Sequence, residues 1–151
     1  MTYRITENDL SADEFIRLFA SAGWGEVPYD LTEASLSGSY AVFAARTADG
    51  KAVGMVRLLG DGGMAFFLKD LVVEPEYQGN GIGKALLIHA ENYIRSQLKS
   101  GWTGYLQLVS AKGKESFYEK MGYSVHPNDH SGPAFSKWIG YRRYLYVHDM
   151  R

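Results

Sequence analysis

The chain has 151 residues, room for one domain of ordinary size. Sixteen Lys and Arg against seventeen Asp and Glu leave a net charge of −1, which is no footprint for a duplex-binding surface. The absence of cysteine excludes a disulfide scaffold, a thiolate zinc site and a cysteine nucleophile, and 17 glycines beside 4 prolines direct attention to tight turns and close backbone approaches.

Tyr3–Ile5 reads as a first strand. Ser11 with Glu14 three residues later is a capping box, and Phe15, Leu18, Phe19 and Ala22 follow at helical spacing towards a stop near Gly23. Asp30 is a candidate cap for a short helix through Leu36. Tyr40–Arg46 and Ala52–Leu59 read as strands joined by a hairpin at Ala48-Asp49-Gly50-Lys51. After the turn Asp61-Gly62-Gly63 comes an apolar strand, Met64–Val73, interrupted by Lys69 and Asp70. Ile82, Leu86, Ala90, Tyr93, Ile94 and Leu98 then keep a helical period until Gly101. Tyr105–Val109 reads as a strand and Lys112–Met121 as a helix ended by Gly122. Tyr123–Val125 and Tyr141–His148 are expected to close the chain as strands. This order predicts an α/β (α+β) sandwich on a mixed sheet, without the regular alternation of a doubly wound nucleotide fold. No run approaches the ~18 apolar residues of a membrane span. The first seven residues lack the apolar stretch of a signal peptide. The expectation is a cytoplasmic protein with no membrane or nucleic-acid partner.

The segment that carries chemistry is Val72-Val73-Glu74-Pro75-Glu76-Tyr77-Gln78-Gly79-Asn80-Gly81-Ile82-Gly83-Lys84. A strand runs into a loop with glycines at 79, 81 and 83, and the loop opens onto the long helix. Glycines let backbone N–H groups approach a ligand, and the first N–H groups of a helix lie unpaired at the positive end of its dipole. Together these make an anion site suited to a phosphate or diphosphate. A Walker loop would need a hydroxyl residue after Lys84, where Ala85 stands. The dinucleotide fingerprint would need the third glycine one residue later.

The spacing Gln78-x-x-Gly81-x-Gly83 resembles the acyl-CoA loop, Gln/Arg-x-x-Gly-x-Gly/Ala, of the GNAT superfamily of N-acetyltransferases. Phe117-Tyr118-Glu119-Lys120-Met121-Gly122-Tyr123 is similar to the closing segment of that fold. The order of elements from Tyr3 to Val147 is compatible with it. The resemblance implies a single N-acetyltransferase domain over 1–151, with a mixed, mostly antiparallel sheet, splayed central strands and about four flanking helices. It implies acetyl-CoA as donor cosubstrate and no metal. The pantetheine arm would pair with backbone groups of Leu71, Val72 and Val73. The diphosphate would lie on Gln78, Gly79, Asn80, Gly81, Ile82, Gly83 and Lys84, although Lys84 could equally be an ordinary solvent-facing lysine.

Amine acetylation needs an uncharged nitrogen, an acceptor for its proton and a stabilised thiolate leaving group. Tyr118 matches the family tyrosine that protonates or hydrogen-bonds the departing sulfur; the alternative is an aromatic packed beside Phe117. Asp70 is the first candidate for general base, since strict alternation puts it on one face with Leu68 and Val72; the alternative is a carboxylate satisfied by backbone or a cation. Lys69 stands where polyamine-acetylating relatives carry the first of an acidic pair. Glu74 could act through a water but reads as more solvent-facing at the strand end, and His126 and His130, with suitable intrinsic pKa values, read as solvated loop residues. Ala111 replaces the asparagine many relatives have seven residues before the tyrosine, with Ser110 or backbone groups as substitutes.

The acceptor is expected to be a primary amine on a small molecule or a peptide. Trp24, Tyr29, Tyr40, Phe135, Trp138, Tyr141 and Tyr144 would wall its pocket or belong to the core. Glu26, Asp30 and Glu33 would attract a cation or simply face water. The aromatic strand Trp138–Val147 could pair across a homodimer as readily as lie inside one sheet. The competing reading is a non-catalytic acyl-CoA-binding or sensing module of the same fold.

Overall fold

The computed structural model describes residues 1–140, so the expected strand Tyr141–His148 lies outside the described residues. The chain starts with β1 (Tyr3–Glu7) and α1 (Ala12–Ser21). The predicted capping box is present in full: the Ser11 side chain accepts from Glu14 N at 3.1 Å, and Glu14 Oε1 accepts from Ser11 N at 3.0 Å. α2 (Tyr29–Ser37) has Pro28 rather than Asp30 at its N-cap. Asp30 is the second residue of the helix, within its first turn, its Oδ1 accepting from Leu31 N.

β2 (Ala41–Thr47), β3 (Ala52–Gly60) and β4 (Ala65–Val73) form an antiparallel meander, with β1 on the outer side of β2. α3 (Ile82–Gln97) then carries the chain to β5 (Tyr105–Leu108), giving the sheet order β1-β2-β3-β4-β5. β5 begins beside the start of β4, where Tyr105 N donates to Met64 O at 2.8 Å. This is the α/β fold on a mixed sheet that the order of elements predicted, with five strands among the described residues.

The first six residues of β2 are all buried, because helices cover both of its faces. Val42, Ala44, Met55 and Val72 pack under Leu10, Phe15, Leu18 and Phe19, with Trp24, Val27 and Leu36 against them. On the opposite face Phe43 meets His89 and Tyr93 of α3. Gly54 of β3 sets the depth of that contact. A Cβ there would stand 3.1 Å from Ile82 Cγ2 and 3.2 Å from Leu86 Cδ1, so the start of α3 rests on bare backbone.

Packing divides the chain near Leu108 into one compact unit with Met1–Gln107 and a second that begins at Leu108. In the second unit α4 covers Glu115–Lys120, shorter than the expected Lys112–Met121, because Gly113 has φ +91° and a turn joins Lys114 N to Ala111 O. Tyr123–Val125 does not form a strand. The Tyr123 N–H is spent on the end of α4, donating to Tyr118 O at 3.0 Å.

Candidate functional site

The end of β4 is irregular. Arg57 pairs with Lys69 and Met55 with Val72, so β4 carries one more residue than β3 between these pairs. Asp70 occupies that bulge with φ +58°, a conformation rare for a side-chain-bearing residue. The bulge also corrects the expected alternation. Leu68 pairs with Leu58 and Val72 with Met55, an odd number of positions apart on β3, so Leu68 and Val72 lie on opposite faces. Asp70 turns to Arg57, whose Nε donates to Asp70 Oδ2 at 2.9 Å. The pair is half-buried, with side chains 13% and 9% exposed. Arg57 also reaches Ser35 O and Ser39 Oγ of the α2 segment. Asp70 is therefore a carboxylate with a cation on one oxygen, and its Oδ1 has no hydrogen-bond partner among the described residues.

Beyond the bulge the ladder is regular again. Glu74 N donates to Val53 O at 2.9 Å, and alternate residues of an antiparallel strand turn their amides to the same neighbour. Val72 consequently spends its backbone groups on Met55, while Leu71 and Val73 point theirs away from β3. The expected trio for an extended ligand narrows to Leu71 and Val73. The Val73 carbonyl already accepts from Gln78 Nε2 at 3.0 Å.

The glycine loop follows. Pro75–Tyr77 form one 3-10 turn, and Asn80 Nδ2 donates to Tyr77 O at 2.9 Å. Gly81 is the N-cap of α3 in the left-handed conformation, φ +77°, and supplies no side chain to cap the helix. No acidic residue stands in the first turn. The first helical bond is made by Ala85 N to Gly81 O. The N–H groups of Gly79, Asn80, Gly81, Ile82, Gly83 and Lys84 have no acceptor among the described residues. Ile82 is buried under the sheet while Gly79, Asn80, Gly81 and Lys84 face solvent. The arrangement is a row of backbone donors at the positive end of a helix, open to an anion.

Glu74 departs from its sequence reading. It is 9% exposed and ion-paired with both Arg17 and Lys51. Its partners come from α1 and from the β2–β3 hairpin, distant in sequence, so no local pattern could have revealed them.

In the second unit, α4 ends in a Schellman motif: Gly122, φ +92°, donates to Glu119 O, and Tyr123 to Tyr118 O. The side chains of Tyr118 and Tyr123 meet edge-on at 6.0 Å, the apolar contact that accompanies this closure. Phe117 packs on the same ring at 5.1 Å. Burial pushes the Tyr118 hydroxyl above its usual pKa, so it keeps its proton at neutral pH. Ser110 donates to Ala111 O. Of the aromatic candidates, Trp24 packs edge-on against Phe19, and Tyr40 sits between Phe66 and Tyr93, so both serve the core. Tyr29 and Phe135 are exposed, as are Glu26, Asp30 and Glu33.

The acetyltransferase (GNAT) domain family matches residues 38–125, more than half of the chain, including the bulged strand, the glycine loop and α4. The chain belongs to the GNAT family of N-acetyltransferases. An uncharacterized N-acetyltransferase of Pyropia yezoensis is 26% identical over 86% of this chain and 74% of its own length. A histone acetyltransferase of Glycine max is 28% identical over 82% of this chain, which spans only 56% of that relative. A GNAT-family acetyltransferase structure from Streptococcus pneumoniae superposes with a TM-score of 0.73, at 26% identity over 92% of this chain and 98% of the other. Among the described residues of this GNAT protein, no helix is long and apolar enough to cross a membrane.

Proposed function

We propose that this chain, as a single N-acetyltransferase domain, moves an acetyl group from acetyl-CoA to a primary amine of a small molecule or peptide by direct attack in a ternary complex. The observation that carries the donor side is the row of free N–H groups from Gly79 to Lys84, at a helix start with no side-chain cap. Six backbone donors fit a diphosphate, and each charge-assisted bond contributes about 1.5–3 kcal/mol. Gln78 through Lys84 would hold the diphosphate, and Leu71 and Val73 would pair with the pantetheine arm. When bound, acetyl-CoA supplies an activated thioester carbonyl.

The chain's own groups then handle protons. Tyr118, held protonated by burial, is suited to give a proton or hydrogen bond to the departing sulfur. Asp70 is the proposed acceptor of the amine proton through Oδ1, with Arg57 fixing the other oxygen. No covalent enzyme intermediate is needed, and no cysteine is present to form one.

Thermal shift and an amine-panel assay following CoA release test this reading. At a hundredfold excess over its Kd, acetyl-CoA should add about 2.7 kcal/mol, roughly 5–10 °C in Tm. No shift in folded protein would overturn the donor assignment. A shift without CoA release from any amine would favour the non-catalytic acyl-CoA-binding module.

A further inference from the structure

The glycine loop is attached to the rest of its unit by an ionic brace that the reaction scheme does not use. Glu74 is the last residue before the 3-10 turn, its N–H held by Val53 O. Its buried carboxylate lies between two cations. Arg17 of α1 contacts Oε1 and also donates from its other terminal nitrogen to Ala52 O at 2.7 Å. Lys51 of the β2–β3 hairpin places Nζ 3.4 Å from Oε2. The same Nζ stands 5.4 Å from the centre of the Tyr77 ring. Lys51 thereby touches both ends of the turn, Glu74 before Pro75 and Tyr77 at its close. Inside the turn, Tyr77 N donates to Glu74 O at 2.9 Å and Gln78 N to Pro75 O at 3.3 Å. From there Gln78 and Asn80 stitch the loop back to Val73 O and Tyr77 O.

We infer that Lys51, acting through Glu74 and Tyr77, is a positioning residue for the acetyl-CoA loop: it holds the 3-10 turn closed so that the N–H row from Gly79 to Lys84 is presented in one arrangement. The inference rests on the acetyl-CoA reading above, since a positioned donor row matters only if an anion binds it. Pre-organising the row lowers the ordering cost of binding, so the effect falls on affinity and not on the chemical step. Lys51 suits this role because it is 45% exposed and can be replaced without opening the core.

The test compares wild type, Lys51→Met and Lys51→Arg in two measurements. The first is amide hydrogen exchange in the free protein, which requires no ligand. Lys51→Met should speed exchange at Tyr77 and Gln78 about threefold or more, and Lys51→Arg should restore wild-type protection. The second is acetyl-CoA titration with steady-state kinetics. Lys51→Met should raise Kd and KM roughly three- to fivefold at unchanged kcat, again with rescue by Lys51→Arg. Wild-type exchange at Tyr77 and Gln78 in Lys51→Met would overturn the brace. Faster exchange with unaltered acetyl-CoA affinity would overturn its link to binding. A wild-type protein that binds no acetyl-CoA would overturn the acetyltransferase reading and this link with it, while the exchange measurement would still judge the brace by itself.

Discussion

Around Arg46 every guanidinium nitrogen has an acceptor, whereas from Gly79 to Lys84 no backbone nitrogen has one among the described residues. Arg46 is 8% exposed and reaches Thr6 Oγ1, both oxygens of Glu14, Asp9, and the carbonyl of Gly50. It ties β1, α1 and the β2–β3 hairpin together. The glycine loop has comparable donor density and makes no such bonds, because its donors are backbone groups in solvent where water holds them at little cost. Donors satisfied inside the protein hold its segments together; under the proposed function, the donors left over at this accessible helix start are the ones a diphosphate would take.

That contrast is broken most forcefully at Arg46. Arg46→Ala leaves Glu14 and Asp9 without their cation, and removing one partner of a buried ion pair costs about 3–5 kcal/mol. The expected result is a large fall in Tm or denaturation midpoint. If destabilisation stays under about 1 kcal/mol, the network is not the structural tie described.

Tyr118, kept protonated by burial, is the proposed proton donor to the departing sulfur. Tyr118→Phe should lower kcat well over tenfold, more than about 1.4 kcal/mol in barrier, with acetyl-CoA affinity and Tm nearly unchanged. Equal turnover would remove its acid role. Asp70→Asn, by contrast, keeps an oxygen for Arg57. It should change the pH dependence of kcat/KM if the amine proton passes through this carboxylate, and a wild-type profile would eliminate Asp70 as the base.

Gly81→Ala sharpens the loop's side of the comparison. A Cβ there meets nothing within 4 Å, so the penalty comes from φ +77° alone, about 1–2 kcal/mol for an L side chain. Acetyl-CoA should bind roughly tenfold more weakly as the helix start readjusts.

The smallest expected effect lies in the acid limb. Arg46, by hydrogen bonding and charge, and the Ser11 backbone N–H together outweigh burial and hold the Glu14 carboxyl at about 2, from 4.5. A carboxyl with a lowered folded-state pKa stabilises the fold fully above its unfolded value, and that stability is lost as pH falls from about 4.5 towards 2. Glu14 is partly exposed, so the contribution is about 1–2 kcal/mol. Glu14→Gln should flatten the decline in stability between pH 5 and 2; an unchanged slope in acid denaturation would remove Glu14 as its source.

Much of this architecture was readable because local rules acted alone. The Ser11–Glu14 spacing names its own capping box, and Asp49-Gly50 its own hairpin. The glycine loop was legible for the same reason, since a strand, three glycines and a helix start define it within a dozen residues. Other features depended on distant partners. Nothing near Asp70 announces a bulge: the register shift arises from how β3 meets β4, and Arg57 lies on the other strand. Glu74 looked solvent-facing beside Pro75 because Arg17 and Lys51 reach it from remote segments. Tyr123–Val125 has the composition of a strand, yet its first N–H completes the end of α4, a demand that composition does not express.

Gly54 acts as a spacer of zero thickness. With no carbon between β3 and the first turns of α3, the height of the helix start above the sheet is set by backbone and two apolar tips. Those same turns carry the last of the free N–H groups, while Val73 is the register partner of Gly54 on the neighbouring strand. A single methyl group added at Gly54 would have to lift one end of the donor row relative to the other half of the proposed binding surface. Under the proposed function the interior of the sheet thus calibrates the reach of the loop, and acetyl-CoA affinity becomes partly a property of the core.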